Sequence, residues 1–136
     1  MKSILPLLCF ALTFGAAVSV YAETPNEGAA AIRDLIAAKD YETLFPTRYT
    51  EWHKTEKAGV EKNQAIARLS QMFEKQHDTL LSVYKQLAEA EFTFSENEHA
   101  QVSETGRVAT ATVKLGTKKI PFRLYEKKDK TWGFHL

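Results

Sequence analysis

The spacing of apolar residues divides this chain into three stretches. Residues 4–20 are almost continuously apolar, interrupted by Ser, Thr, Pro and Gly. From Asn26 to about Glu89 apolar residues recur at helical spacing, and beyond Glu91 they alternate with polar ones. Helices first and strands second predicts an α+β domain, not an alternating α/β one.

The helical half opens at Asn26, a capping residue type, with Ala30, Ala31, Leu35 and Ala38 on one face. Asp40 is placed to cap a short second helix carrying Tyr41, Leu44 and Phe45, which Pro46 is expected to end. Residues 48–58 are aromatic and charged, and Gly59 closes them. The longest stripe is Ile66, Leu69, Phe73, Leu80, Tyr84 and Leu87, within residues 61–89. It has one gap at Gln76 and His77, where Asp78 could cap a fresh helix, so one kinked helix and two helices both fit.

In the second half Phe92 and Phe94 alternate with Thr, and Ala100 and Val102 alternate with Gln and Ser. Residues 107–115, 119–126 and 131–136 then read as three strands. Gly116-Thr117 suits a two-residue hairpin turn with Gly first. Closing Leu115 on Lys118 sets Val113 opposite Ile120, Ala111 opposite Phe122 and Ala109 opposite Leu124, an apolar face with small residues against large. A three-residue loop, Lys128-Asp129-Lys130, then sets Trp132 opposite Glu126, Phe134 opposite Leu124 and Leu136 opposite Phe122. A loop one residue shorter would flip Trp132 to the other face, so burial selects the odd loop. That loop requires a left-handed Lys130, where Gly would be easier. Pro121 fits the register because its missing N–H points toward an edge where the chain has run out.

The apolar N-terminal stretch reads as a secretory leader. Lys2 supplies a basic start, Val20-x-Ala22 a cleavage site, and residues 23–28 a polar continuation. A membrane span would need roughly 20 apolar residues; Pro6 and Gly15 interrupt this one, and no basic flank succeeds it. Cys9 lies too early in the run for a lipidation site. Cleavage after Ala22 is expected to leave one domain, residues 23–136, exported to the periplasm or beyond. With Lys2 gone, 17 basic and 17 acidic side chains remain and the formal net charge is zero. A balanced domain does not suit nucleic acid or an anionic membrane surface. No cysteine remains, so stability is expected from core burial, without disulfides.

Two segments carry a family resemblance. AAAIRDLIAAKDYETLF is similar to the opening of nuclear transport factor two-like domains, where an Ala-rich helix precedes a Lys/Gly-Asp step and a short helix. KIPFRLYEKKDKTWGFHL is similar to their closing hairpin, with Lys130 where the family often has Gly. The resemblance implies a cystatin-like α+β cone, with N-terminal helices covering a curved C-terminal antiparallel sheet and often a pocket between them. It is nearest to small exported bacterial members without assigned activity. Relatives include SnoaL-like cyclases and ketosteroid isomerases, ligand binders, dimers and interaction modules, so fold alone does not choose.

Candidate chemistry is sparse. The expected inner face offers nine apolar residues and no group that exchanges protons near neutral pH. Tyr49, Trp52, His53, Tyr84 and Phe122 are the candidate ligand-binding residues, with His53 the one candidate base; ordinary aromatic packing with His53 on the surface is the plainer reading. No catalytic residue carries over from the family. His53-x-x-Glu56 and Glu98-His99 each lack a third metal ligand, and no cofactor motif is present. The outer face places Thr110, Arg123 and His135 in one row and Val108, Tyr125 and Gly133 in the next. Arg123, Tyr125 and His135 are therefore a candidate homodimer surface. The resulting expectation is an exported, non-enzymatic domain binding a small apolar ligand or a protein partner. A SnoaL-like or isomerase-like pocket enzyme and an accessory domain with a filled core are the alternatives.

Overall fold

The computed structural model describes residues 22–57, 59, 61–96 and 103–136. The expected leader, save Ala22, lies outside them, as do Glu98, His99, Ala100 and Val102. Among the described residues, five helices precede an antiparallel four-stranded sheet: α1 (Pro25–Ala37), α2 (Tyr41–Arg48), α3 (Trp52–Lys57), α4 (Lys62–Lys75) and α5 (His77–Leu87), then β1 (Thr93–Ser95), β2 (Val108–Leu115), β3 (Lys118–Glu126) and β4 (Trp132–Gly133). The strands lie in sequence order, and the sheet is open. This is the α+β class expected from the change of period.

The cap of α1 is not Asn26. Thr24 caps it, in a reciprocal box with Glu27 and with Pro25 in the first turn. Asn26 serves another helix: its side-chain amide donates to the carbonyls of Leu87, Ala88 and Ala90 at 3.1, 3.2 and 2.8 Å. Carbonyls at a helix C-terminus lack partners within the helix, so Asn26 ties the start of α1 to the end of α5. The buried stripe of α1 is correspondingly shifted to Gly28, Ala29, Ile32 and Ile36, and Ala38 is exposed. Lys39 then turns left-handed, at φ 55°, beyond the last turn of α1.

Asp40 caps α2 as expected, accepting from the Thr43 N–H. Pro46 does not end that helix; it lies inside, and α2 runs on to Arg48. The helical stripe between 61 and 89 breaks into α4 and α5. Gln76, not Asp78, stands at the junction, where its φ of −123° leaves the helical region. The His77 ring spans the break to the Ile36 carbonyl, Nε2 lying 3.1 Å from the oxygen.

The β2–β3 register is the one derived from alternation: Leu115 pairs with Lys118, Val113 with Ile120, Ala111 with Phe122 and Ala109 with Leu124. Gly116 at the turn has φ +65°. Trp132 pairs with Glu126, and Lys130 is left-handed at φ 68°. The odd loop is thus present, pinned by Asp129, which accepts from the N–H and hydroxyl of Thr131 at 3.0 and 2.5 Å. Glu126 donates its N–H to Arg107 across the ladder, so odd-numbered residues of β3 direct theirs to the opposite edge. β4 covers that edge only at Tyr125 and Glu126, and Pro121 forfeits no ladder bond.

The final strand departs from expectation. β4 ends at Gly133, so Phe134 does not pair with Leu124 and Leu136 does not pair with Phe122. Instead Phe134 crosses to the end of α2 and bridges Tyr49 in parallel. Its N–H donates to the Arg48 carbonyl at 2.8 Å, and its carbonyl accepts from the Thr50 N–H at 2.9 Å. The reason is steric as well as polar. Gly133 passes so close to α2 that a Cβ there would lie 2.3 Å from the Arg48 carbonyl oxygen. Leu136 is 47 % exposed, beside Met72 and Leu80.

Helices and inner sheet face enclose one core. Trp132, Leu124, Ala109, Ile32, Ile36, Leu44, Phe45 and Leu87 are fully buried. Phe134 meets the rings of Phe45, Tyr49 and Phe73 at centroid distances of 6.2, 5.8 and 5.5 Å.

Two glycine exchanges of opposite sign check this geometry. Lys130→Gly should stabilise the domain by about 1 kcal/mol in denaturant melts, because Gly occupies the left-handed region without strain; a neutral or destabilising result would contradict the strained turn. Gly133→Ala should cost about 3 kcal/mol, since the added methyl must push the Phe134 crossing away from Arg48. An unchanged melting midpoint would mean that the crossing is not held so tightly in solution.

Candidate functional site

The crossing of Phe134 builds a cleft beside it. One wall is the segment from Pro46 through Trp52, held by the Tyr49–Phe134 bridge, and continues into α3 with His53 and Glu56. The other wall is the β3–β4 loop, Lys127, Lys128 and Asp129, with Glu104 beneath it. The cleft encloses about 240 Å³. Its loop wall is braced on both sides. Glu104 Oε1 accepts from the Lys128 N–H at 2.9 Å, and Lys127 Nζ donates to the Thr47 carbonyl at 2.6 Å. That ammonium also sits where the C-terminal dipole of α2 favours a cation.

Tyr49, Trp52 and His53 come together here, as neighbours on the α2–α3 connection. Trp52 is buried, Tyr49 half-buried and His53 exposed. Burial raises the pKa of Tyr49, with the Glu51 charge adding to it and Arg68 opposing, so its hydroxyl stays protonated at neutral pH. Tyr84 and Phe122 are not part of the cleft. They meet edge to face at 5.8 Å where α5 packs on the inner sheet face. Burial pushes the Tyr84 pKa up, and its role there is packing.

Three cleft residues carry no signal in the sequence pattern: Thr50, Glu104 and Lys127. Thr50 is the most informative. It is 2 % exposed, and its Oγ1 has no hydrogen-bond partner among the described residues. An unpaired buried hydroxyl costs roughly 1–3 kcal/mol. Asp129, a turn residue by sequence, also lines the cleft. Burial works to raise its pKa, but hydrogen bonds from Thr131 and the charges of Lys127 and Arg48 together bring it below the ordinary value, and the carboxylate stays ionised.

His53 makes no hydrogen bond or ion pair with any other described residue. Glu56, one turn along α3, has no side-chain partner among the described residues either. Among the described residues no group of three or more His, Cys, Asp or Glu side chains is placed to hold a metal ion. No helix among them is long and apolar enough to cross a membrane. On the outer sheet face Thr110 pairs with Arg123, and Val108 with Tyr125 and then Gly133. His135 lies beyond the ladder, yet its ring meets Tyr125 edge to face at 6.2 Å. Comparisons with family models, curated proteins and solved structures return no match for this chain.

Proposed function

We propose that this chain is an exported, non-enzymatic binding domain of the nuclear transport factor two-like kind, and that the cleft between the α2–α3 connection and the β3–β4 loop is its binding site. The carrying observation is His53. A general base needs a neighbour that fixes its ring and tautomer. His53 stands at the rim of the cleft without one among the described residues, an arrangement suited to contacting a ligand and not to moving its protons.

The expected ligand position shifts with the geometry. Over the inner sheet face, Tyr84 covers Phe122, and Phe134 fills the space among Phe45, Tyr49 and Phe73. A small molecule is better served by the cleft, which is lined by both aromatic and charged side chains. The outer face of Arg123, Tyr125 and His135 supports a second reading, self-association, because Tyr and Arg are enriched at interfaces.

Two measurements test the proposal. Intact mass of protein from its native source should correspond to a chain beginning at Glu23; retained Met1 or a lipid on Cys9 would refute export by leader cleavage. For the site, His53→Ala should keep the fold and leave ligand affinity within about threefold, the loss of one exposed contact. An enzyme would instead show a pH–rate profile that collapses on that substitution. Turnover of any substrate abolished by His53→Ala, in folded protein, would overturn the non-enzymatic reading.

A further inference from the structure

We infer that the folded domain locks its own leader-cleavage bond, Ala22–Glu23, so that the leader must be removed before the domain folds. This rests on the reading of the chain as exported by leader cleavage and adds the order of events. Two independent observations meet at that bond. Val20-x-Ala22 marks it from the leader side, by the small residues a leader peptidase reads. The anchored structure marks it from the other side. Ala22 is exposed and makes no hydrogen bond with any other described residue, whereas Glu23, the next residue, is held by its side chain and its backbone alike.

The lock is built from distant parts of the chain. Arg48 grips the Glu23 carboxylate with both terminal nitrogens, and the Trp132 N–H gives that carboxylate a third hydrogen bond. The Trp132 indole N–H closes on the Glu23 carbonyl at 2.9 Å. The Arg48 and Glu23 side chains are only 13 % and 16 % exposed. Thr24 caps α1, its own N–H donating to Glu27 Oε1 at 2.9 Å, and the chain is helical from a buried Pro25 onward.

Hydrolysis adds one water across the Ala22–Glu23 peptide bond, leaving a carboxylate on Ala22 and an ammonium on Glu23. A peptidase must hold the backbone on both sides of that bond in extended form, and backbone held by burial and hydrogen bonds is closed to it. On the Glu23 side three consecutive residues are committed: Glu23 to Arg48 and Trp132, Thr24 to the cap, Pro25 to the helix. Cutting the folded chain therefore waits for these contacts to open, and its rate follows the fraction of time they stand open. The same contacts fix how late the cut can fall. Removing Glu23 as well would take away the acceptor of both Trp132 N–H groups and leave Arg48 only the Trp132 carbonyl. Ala22–Glu23 is the last bond whose cutting leaves the arrangement whole.

The test is cell-free synthesis of the full chain in detergent micelles, with leader peptidase present during synthesis in one arm and added after folding in the other. Cleavage should be complete in the first arm and at least about tenfold slower in the second. Equal rates would overturn the inference while the export reading stands; no cleavage in either arm would overturn both. Arg48→Met and Trp132→Phe leave the residues around the bond unchanged. Each should speed cleavage of the folded chain several-fold and leave the first arm unaltered. Val113→Ala, in the core toward the far end of β2, controls for loss of overall stability. Acceleration by Val113→Ala as large as by the other two would overturn the lock, because cutting would then follow unfolding of the whole domain. Should Arg48→Met and Trp132→Phe both fail to fold, the mature domain decides. A chain beginning at Thr24 should melt several degrees below one beginning at Glu23, and equal midpoints would refute the lock.

Discussion

One ion pair joins three segments that are far apart in the chain. The Glu23 carboxylate accepts both terminal nitrogens of Arg48, at 2.7 and 3.0 Å, and the Trp132 N–H at 2.9 Å. The Glu23 carbonyl accepts the Trp132 indole N–H at 2.9 Å, and Arg48 reaches on to the Trp132 carbonyl at 3.0 Å. Such a pair is a weak source of net stability, because taking both charges out of water costs about as much as their attraction returns. Its effect is on placement. Losing either partner leaves a partly buried charge with no counterpart, so the segment entering α1, the end of α2 and β4 are held in one arrangement. Burial of Trp132 supplies the driving force; the ion pair determines where that burial occurs. Gly28 belongs to the same constraint, since a Cβ there would sit 2.8 Å from Trp132 Cβ and 2.9 Å from Glu23 Oε1.

Around this node, backbone groups at element ends find partners from distant parts of the chain. The Thr47 and Arg48 carbonyls at the end of α2 receive Lys127 and the Phe134 N–H. The last carbonyls of α5 receive Asn26. On the sheet, the Gln86 side-chain amide binds both the N–H and the carbonyl of Lys114, at 2.7 and 2.9 Å, beyond the reach of short β1. It occupies that edge as a strand residue would and hides it from other chains. β4 can be two residues long because Phe134, the next residue, pairs with a helix end instead of with β3.

Legibility in the sequence divides along the same line. The β2–β3 register is readable from local alternation and Gly116, and the loop parity from the need to bury Trp132. Each depends on neighbours a few residues apart and on a period that admits only two answers. Asn26, Pro46 and Phe134 escape local rules for one shared reason. Each looks like a local signal, a cap, a stop and a strand residue, and each is committed to a distant or wider context. Asn26 serves the end of a helix 61 residues away. Pro46 lies inside a helix that runs on to Arg48, whose carbonyl takes the Phe134 N–H. Phe134 leaves its expected strand because the α2 carbonyls outcompete the bare edge of β3. Tyr49, Trp52 and His53 point to the cleft because the three are close in sequence. Thr50 stands between them without a signal of its own, since nothing in the pattern shows that its hydroxyl would be buried without a partner.

The cleft and the core are consequences of the same crossing. When Phe134 turns toward α2, its ring closes the core against Phe45 and Phe73, and its backbone captures Thr50. The capture fixes the Thr50 backbone by its N–H and leaves its hydroxyl buried, with no partner among the described residues. The β3–β4 loop opposite cannot drift either, because Lys127 is anchored on Thr47 and Lys128 on Glu104. Both walls are therefore positioned by contacts that also hold the fold, and a ligand would meet a site whose ordering cost was met on folding. Local rules are broken here within a few residues: a left-handed Lys130, an unpaired Thr50 hydroxyl and a strand that abandons its sheet. Departures of this kind tend to gather where a chain carries function; these three lie around the cleft, while the left-handed Lys39 lies apart from it, beyond the last turn of α1.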